Sequence, residues 1–460
     1  MRPTQWRRST HVVIGVAVLL LVAAVVAAAA VLGNGNSTSD AQAVKPAPAA
    51  ATASPGIVPV ADSATKPTPD RLAATLAPLV ADPNLGALTG RITDAITGAQ
   101  LWAQGADVPM QPASTNKVLT TAAALLALDR DARLTTRVMA SGQPGVVVLK
   151  GGGDPTLSAA PAGQDTWYRD AARISDLADQ VRRSGIFVTT VQVDVGAFSG
   201  PTMAPGWDPA DIDGGDIAPM EAVMLDGGRT QPVSVDSARS TTPALDAGRA
   251  LAVALKVDPA KVTVLPAGTP SGQEIASVQS PPLIERLRQM MNESDNVMAE
   301  SIGREVAAEQ NRLQSFDGAV QAVLGQLDKA KIDTGDARLL DSSGLSVHDR
   351  LTAETLDGVV NAAAGTDQPK LRPLLDVLPI AGGSGTLSNR YLDTDGGRAA
   401  AGYLRAKTGS LTGTNALAGI VTDASGRVLT FAFISNNAGP TGRTAIDALA
   451  AVLRSCGCST

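Results

Sequence analysis

The stretch Pro112-Ala113-Ser114-Thr115-Asn116-Lys117, continuing through Val118 to Leu128 (PASTNKVLTTAAALLAL), decides the fold. Proline suits a helix start, because its missing N–H is unsatisfied there in any case. The residues after Lys117 contain neither Gly nor Pro and are rich in Ala and Leu, which predicts a buried helix beginning near Ala113. Ser114 and Lys117 are three positions apart, so they share a face and the amine reaches the hydroxyl. The positive helix end stabilises an alkoxide and, together with burial, lowers the proton affinity of the lysine toward that of a general base. An ordinary solvated first turn would carry the same two residues, so the pair gains meaning only from partners elsewhere.

Working outward, Leu72 to Val80 reads as a helix and Leu88 to Ala103 as a hairpin turning at Asp94 to Gly98. Val146 to Lys150 is a short strand running into Gly151-Gly152-Gly153-Asp154-Pro155, a turn. Pro282 to Glu309 reads as one long helical stretch, and Leu404 to Ser435 alternates strands with Gly and Asn/Asp turns. Helices flanking an antiparallel sheet define an α+β body.

Composition excludes several function classes. The chain has 460 residues, too many for one hydrophobic core, with 44% hydrophobic and 18% charged residues, a globular balance. Aromatics are only 3%, so the core is expected to consist mainly of Ala, Val and Leu. Net charge is -6 although Arg2, Arg7 and Arg8 lead the chain, which leaves no basic surplus for nucleic acid. With only His11 and His348, no His-rich metal site can be assembled, and lysine is the more flexible choice of catalytic base. His348 is assigned no role. Cys456 and Cys458 form a terminal Cys-Gly-Cys, read as a strained local disulfide or an inert tail.

Val12 to Leu32 is an uncharged, mostly apolar run behind a basic tail at 1–11, long enough to span a bilayer as a helix. It reads as a signal anchor or a cleavable signal peptide, with everything after residue 32 outside the cytoplasm. Residues 33–70 hold no aromatic and many prolines, a semi-extended linker. The folded part is expected to begin at about Arg71.

Three motifs occur in order: Ser114-Thr115-Asn116-Lys117 (S-x-x-K), Ser294-Asp295-Asn296 (S-x-N) and Lys407-Thr408-Gly409. The sequence also holds decoys, Ser63 to Lys66 within the proline-rich linker and Ser435-Asn436-Asn437, so order and context discriminate. Ser114 would be the nucleophile, Lys117 the base and Ser294 a proton relay between Lys117 and the leaving amine, with Asn296 holding a substrate amide. Asp295 should point elsewhere. Lys407, Thr408 and Ser410 on an edge strand suit a terminal carboxylate, Gly409 allows a substrate backbone to pair closely, and the N–H groups of Ser114 and Ser410 would form an oxyanion hole. Neither Gly151 to Asp154 nor Gly382 to Gly385 is followed by Gly-Lys-Ser/Thr, so both read as turns rather than phosphate loops.

In this order the trio resembles the signature of penicillin-binding proteins and class A β-lactamases. Together with Gly151 to Leu157, Asp341-Ser342-Ser343-Gly344-Leu345-Ser346 and Gly383 to Leu387, the chain resembles the class C low-molecular-mass penicillin-binding proteins, the D-alanyl-D-alanine carboxypeptidases of peptidase family S13. The resemblance implies a penicillin-binding, β-lactamase-like transpeptidase fold built from 71–157 and 274–455. The short interval between the first two motifs implies a single inserted domain at 158–273. It further implies hydrolysis of the D-Ala-D-Ala bond of peptidoglycan stem peptides, with D,D-endopeptidase action as a close variant of the same chemistry, covalent capture by β-lactam antibiotics and no metal or cofactor. A β-lactamase and a catalytically idle cell-wall binding protein are the competing readings. The first would need a glutamate in E-x-x-L-N between Asn296 and Lys407, and no such string is present.

Overall fold

The alternation Phe431-Ala432-Phe433-Ile434 sets the layering of the protein, because successive side chains of a strand face opposite sides of the sheet. Phe431 and Phe433 are buried with Leu72, Leu76, Ile446 and Leu449 of two flanking helices. Ala432 and Ile434 are buried with a larger helical layer on the other side. The structure, a computed structural model, describes residues 64–455 except 267, 270 and 271. The run at 12–32, the linker up to residue 63 and the Cys456/Cys458 pair lie outside the described residues. Among the described residues no helix is long and apolar enough to cross a membrane.

Helix α1 (Pro69–Val80) precedes the hairpin β1 (Ala87–Asp94) and β2 (Gln100–Gln104), whose turn falls at the expected place. A 3-10 turn at Ala113–Asn116 then runs directly into α2 (Lys117–Ala127). The next block comprises β3 (Thr135–Ala140), β4 (Val146–Lys150), α3 (Ile174–Arg183), β5 (Thr190–Asp194), α4 (Pro243–Leu255), β6 (Thr263–Val264) and β7 (Glu274–Gln279). After it come α5 (Leu283–Glu293), α6 (Asn296–Glu309), α7 (Phe316–Lys329) and α8 (Ala353–Ala364). The chain closes with β8 (Leu404–Leu411), β9 (Thr414–Thr422), β10 (Val428–Asn436) and α9 (Gly442–Ser455).

The first sheet is antiparallel throughout, in the order β2-β1-β10-β9-β8, so β8 is an edge strand. α1 and α9 cover one face and α2, with α5 to α8, covers the other. The contacts facing α2 are mostly alanines, Ala416, Ala418 and Ala432, which let helix and sheet approach closely.

The second sheet is mixed, in the order β6-β5-β4-β3-β7, and packs against α3 and α4 through Val138, Leu149, Leu177, Val193 and Leu251. Its limits correct the expected insertion at 158–273. β3 and β4 lie before that interval and β7 after it, because β3 pairs antiparallel with both β4 and β7 and the chain leaves and returns through neighbouring strands. The Pro201 to Gly228 region, expected to belong to the insertion, instead contributes Trp207, Ile217 and Met220 to a cluster with Val297, Phe316 and Leu345. That cluster lies beside the S-x-N motif.

Asp94 at the end of β1 and Arg427 just before β10 form a buried ion pair, with Nε and Nη2 each donating to one carboxylate oxygen at 2.8 Å. Breaking one side of a buried pair leaves the other charge uncompensated. Asp94→Ala is therefore expected to lower unfolding free energy by about 3–5 kcal/mol in urea denaturation. Asp395→Ala, which removes an exposed partner of Arg398, should change it by less than about 1 kcal/mol.

Candidate active site

The 3-10 turn explains how Ser114 and Lys117 meet. In a 3-10 helix residues i and i+3 eclipse one another, and Lys117 Nζ lies 2.9 Å from Ser114 Oγ. The turn starts from a strained backbone, since Ala113 has φ 47°. Gly344 is the reason it can do so. At φ +80° it passes directly beneath Ala113, and a Cβ there would strike the Ala113 carbonyl and the Asn116 side chain.

Lys117 is fully buried and Ser114 half-buried. The Nζ of Lys117 has two further partners, Asn296 Oδ1 at 2.6 Å and the Ser343 carbonyl at 2.8 Å. Burial lowers its pKa to about 8, although Asp341, Asp295, Glu300 and Asp216 all favour the charged form.

The S-x-N motif does not lie within one helix, as the Pro282 to Glu309 pattern suggested. α5 ends at Ser294 in the left-handed region (φ 57°, ψ 35°), and Asp295 starts α6 by accepting a hydrogen bond from the Met298 N–H at 3.0 Å. The break is what presents both residues to the cleft. Asp295 points elsewhere, as expected, with its other oxygen accepting from the Tyr168 hydroxyl at 2.7 Å. Asn296 lines the cleft and also has partners within the protein. Its Oδ1 accepts from Lys117 and its Nδ2 donates one of its two protons to the Asp216 carbonyl at 3.0 Å.

Ser294 is held by a different lysine from the one anticipated. Lys407 Nζ donates to Ser294 Oγ at 2.8 Å and to the Thr408 carbonyl at 2.9 Å. Burial, then the charges of Lys117 and Arg390, hold Lys407 well below the ordinary lysine range. Thr408 Oγ1 donates to Thr386 Oγ1 at 2.9 Å, which gives the Gly383 to Leu387 segment a place in the site. Gly409 serves the protein's own packing, since a Cβ there would lie 2.6 Å from the Pro112 carbonyl. Ser410 is exposed. The Ala406 N–H donates to Pro379 on the side away from β9, and alternation turns the Ser410 N–H toward the same open edge.

Ser114, Ser294, Asn296, Thr408 and Ser410 line one cleft of about 810 Å³, with Lys117 and Lys407 buried behind it. The decoys are separated from it: Lys66 is exposed in a non-helical lead-in, and Asn436 ends β10. Ser63 lies outside the described residues. What the motifs did not reveal is the loop under the lysine. Asp341 is fully buried, and its carboxylate accepts from the N–H groups of Ser343 (3.1 Å), Gly344 (2.6 Å) and Ser346 (2.7 Å) and from Trp207 Nε1 (2.8 Å). The string Asp341 to Ser346 was visible in sequence, but its function as a floor depends on Trp207 from a distant segment.

An antiparallel sheet against a helical layer, with two Ser–Lys pairs and an asparagine between them, defines the penicillin-binding class of proteins. The model of the D-Ala-D-Ala carboxypeptidase 3 (S13) family matches residues 72–240 and 232–455, and that of the Rv3627c-like carboxypeptidase N-terminal domain matches 1–59. The chain belongs to the S13 family, and with it to the D-Ala-D-Ala carboxypeptidases. It is 75% identical to "Carboxypeptidase DacB" of Mycolicibacterium smegmatis over 100% of both chains. It is 30% identical to a D-alanyl-D-alanine carboxypeptidase of Actinomadura sp. over 81% of this chain and 82% of that one. The crystal structure of penicillin binding protein 4 (dacB) from Haemophilus influenzae superposes with TM-score 0.67 at 25% identity, covering 84% of this chain and 98% of that chain. The Haemophilus protein has also been solved in complex with a β-lactam.

Gly409→Ala should push β8 away from the Ser114 turn. Because misplacement of reacting groups by about 1 Å costs on the order of 100-fold in rate, penicillin acylation should fall by about that factor. Stopped-flow acylation alongside thermal melting checks this, with the rate loss expected to exceed what any change in folded fraction explains.

Proposed function

We propose that this chain releases the terminal D-Ala from peptidoglycan stem peptides through an acyl-enzyme on Ser114. The observation that carries the reading is the buried Lys117 amine 2.9 Å from Ser114 Oγ, with its pKa lowered to about 8. A lysine so poised is partly neutral near physiological pH and can accept a proton.

In the proposed sequence, Ser114 Oγ attacks the carbonyl carbon of the penultimate D-Ala while its proton passes to Lys117. The N–H groups of Ser114 and Ser410 stabilise the oxyanion. Collapse of the tetrahedral intermediate breaks the C–N bond. A proton reaches the departing amine through Ser294, whose hydroxyl Lys407 holds. D-Ala leaves, water adds to the ester with Lys117 again accepting a proton, and Ser114 is regenerated. Thr408 and Ser410, with Lys407 buried behind them, suit the substrate's terminal carboxylate, whose arrival would favour the charged form of Lys407. Asn296 holds Lys117 through Oδ1, and the second proton of Nδ2 suits a substrate amide carbonyl in the cleft. Gly409 contributes the close approach of β8.

The same chemistry on a D-Ala cross-link would make the protein a D,D-endopeptidase. β-Lactams would acylate Ser114, and because the opened ring stays tethered where water must enter, that adduct should persist. The apolar run at 12–32 supports action outside the cytoplasm, with the segment acting as an anchor or export signal.

Mass spectrometry after benzylpenicillin tests the assignment. A single adduct on the Ser114 peptide is expected, lost in Ser114→Ala and retained in Ser63→Ala; persistence of the adduct in Ser114→Ala would remove the nucleophile. The acylation rate should rise with pH through a midpoint near about 8, because the neutral form of Lys117 is the active one. A rate independent of pH between 6 and 9 would exclude Lys117 as base.

A further inference from the structure

A neutral primary amine has two protons and one lone pair, and the surroundings of Lys117 fix where each goes. The Ser343 carbonyl can only accept. Asn296 Oδ1 can also only accept, and its amide cannot turn over, because Nδ2 is committed to the Asp216 carbonyl. Two fixed acceptors use both protons, and the lone pair is left facing Ser114 Oγ. The aim of the base therefore depends on what holds Ser343. Glu300 accepts from the Ser342 N–H at 2.9 Å, and Asp341 holds the rest, its four donors setting the turn from 341 to 346. One of the four, Trp207 Nε1, arrives from the segment between β5 and α4 and is seated edge-on against Phe316 at 5.0 Å.

We propose that Asp341, clamped by Trp207, is a positioning residue that aims the lone pair of Lys117 at Ser114. Neither residue is assigned contact with substrate. The proposal rests on the acyl-enzyme reading and adds to it that the 196–242 segment, remote in sequence from all three motifs, sets the base. Ser346 Oγ donates to the Pro205 carbonyl at 2.7 Å, a second tie between the same loop and the same segment.

The charged groups around Lys117 give the proposal a pH signature. From the loop come Asp341 and Asp349, from α6 Asp295 and Glu300 with its partner Arg304, from the segment between β5 and α4 Asp216, and from β8 Lys407. α2 itself brings no other charge. Asp341 favours the ammonium form, so Asp341→Asn should move the acid limb of the acylation profile to lower pH. Trp207→Phe keeps an aromatic ring against Phe316 but removes a donor that offsets the carboxylate charge, so it should move the limb to higher pH.

The experiment measures penicillin acylation of the full-length protein and both variants from pH 5.5 to 9.5, with thermal melting alongside. Expected are maximal rates reduced about 10–100-fold, as misaimed groups produce, and limbs displaced in opposite directions. Folded variants whose limbs stay at the wild-type position would overturn the proposal, whatever their rates, since a merely structural role lowers rate without moving the limb. If Asp341→Asn does not fold, Trp207→Phe decides alone by the presence or absence of the upward shift. Absence of acylation in the unchanged protein would instead remove the acyl-enzyme reading, and this proposal with it.

Discussion

The desolvation of Lys117 is the constraint on which the rest of the structure depends. A charged ammonium with no water around it is costly, and burial lowers its pKa to about 8 despite four carboxylates that favour the charge. The fold supplies two acceptors for the protons of the neutral amine, from the start of α6 and from the 341–346 loop, and a hydroxyl from its own turn that can donate to the lone pair. Each of these partners in turn imposes a backbone demand. Ala113 takes a positive φ, Ser294 breaks a helix in the left-handed region, and Gly344 must lack a side chain. Three strained or glycine-dependent positions around one nitrogen show where the fold gives up local comfort for a chemical arrangement.

Local pattern carried much of this arrangement and distant partners carried the rest. The S-x-x-K turn, the place of Lys407 on a strand and the β1–β2 hairpin follow from short-range rules of spacing, turn chemistry and alternation. Even the scarcity of aromatics translated into the Ala, Val and Leu core, with Ala416, Ala418 and Ala432 permitting the close approach of α2. The helix break at Ser294 escaped the reading because Pro282 to Glu309 lacks Gly and Pro apart from its first residue and Gly303, and an amphipathic pattern continues on both sides. Asp295 is a legitimate N-cap residue and was the available signal.

The second sheet was hidden for a different reason. Its strands β3, β4 and β7 lie on both sides of the interval where an insertion was expected, and strand pairing across such a distance leaves no mark in local periodicity. Trp207 and Asp216 were hidden in the same way. Both belong to a Pro/Gly-rich stretch with no regular pattern, and their importance lies entirely in which distant polar atoms they reach. Motif reasoning identifies atoms that react; it does not identify atoms that hold others still.

The two Ser–Lys pairs differ in a way that separates their roles. Lys117 is surrounded by carboxylates that partly restore its proton affinity, which leaves it titrating near about 8, where gaining and losing a proton are both easy. Lys407 has no such company: after burial, the charges of Lys117 and Arg390 depress it further. Two ammonium groups this close would repel, so protonation of one opposes protonation of the other. In the proposed reaction a proton accepted by Lys117 would thus be easily given up again, and Ser294, bonded to Lys407 and lining the same cleft as Ser114, is the group proposed to carry it to the leaving amine. An anionic substrate carboxylate arriving beside Lys407 would favour charge there and neutrality at Lys117, which makes binding of the correct chain end a means of readying the base.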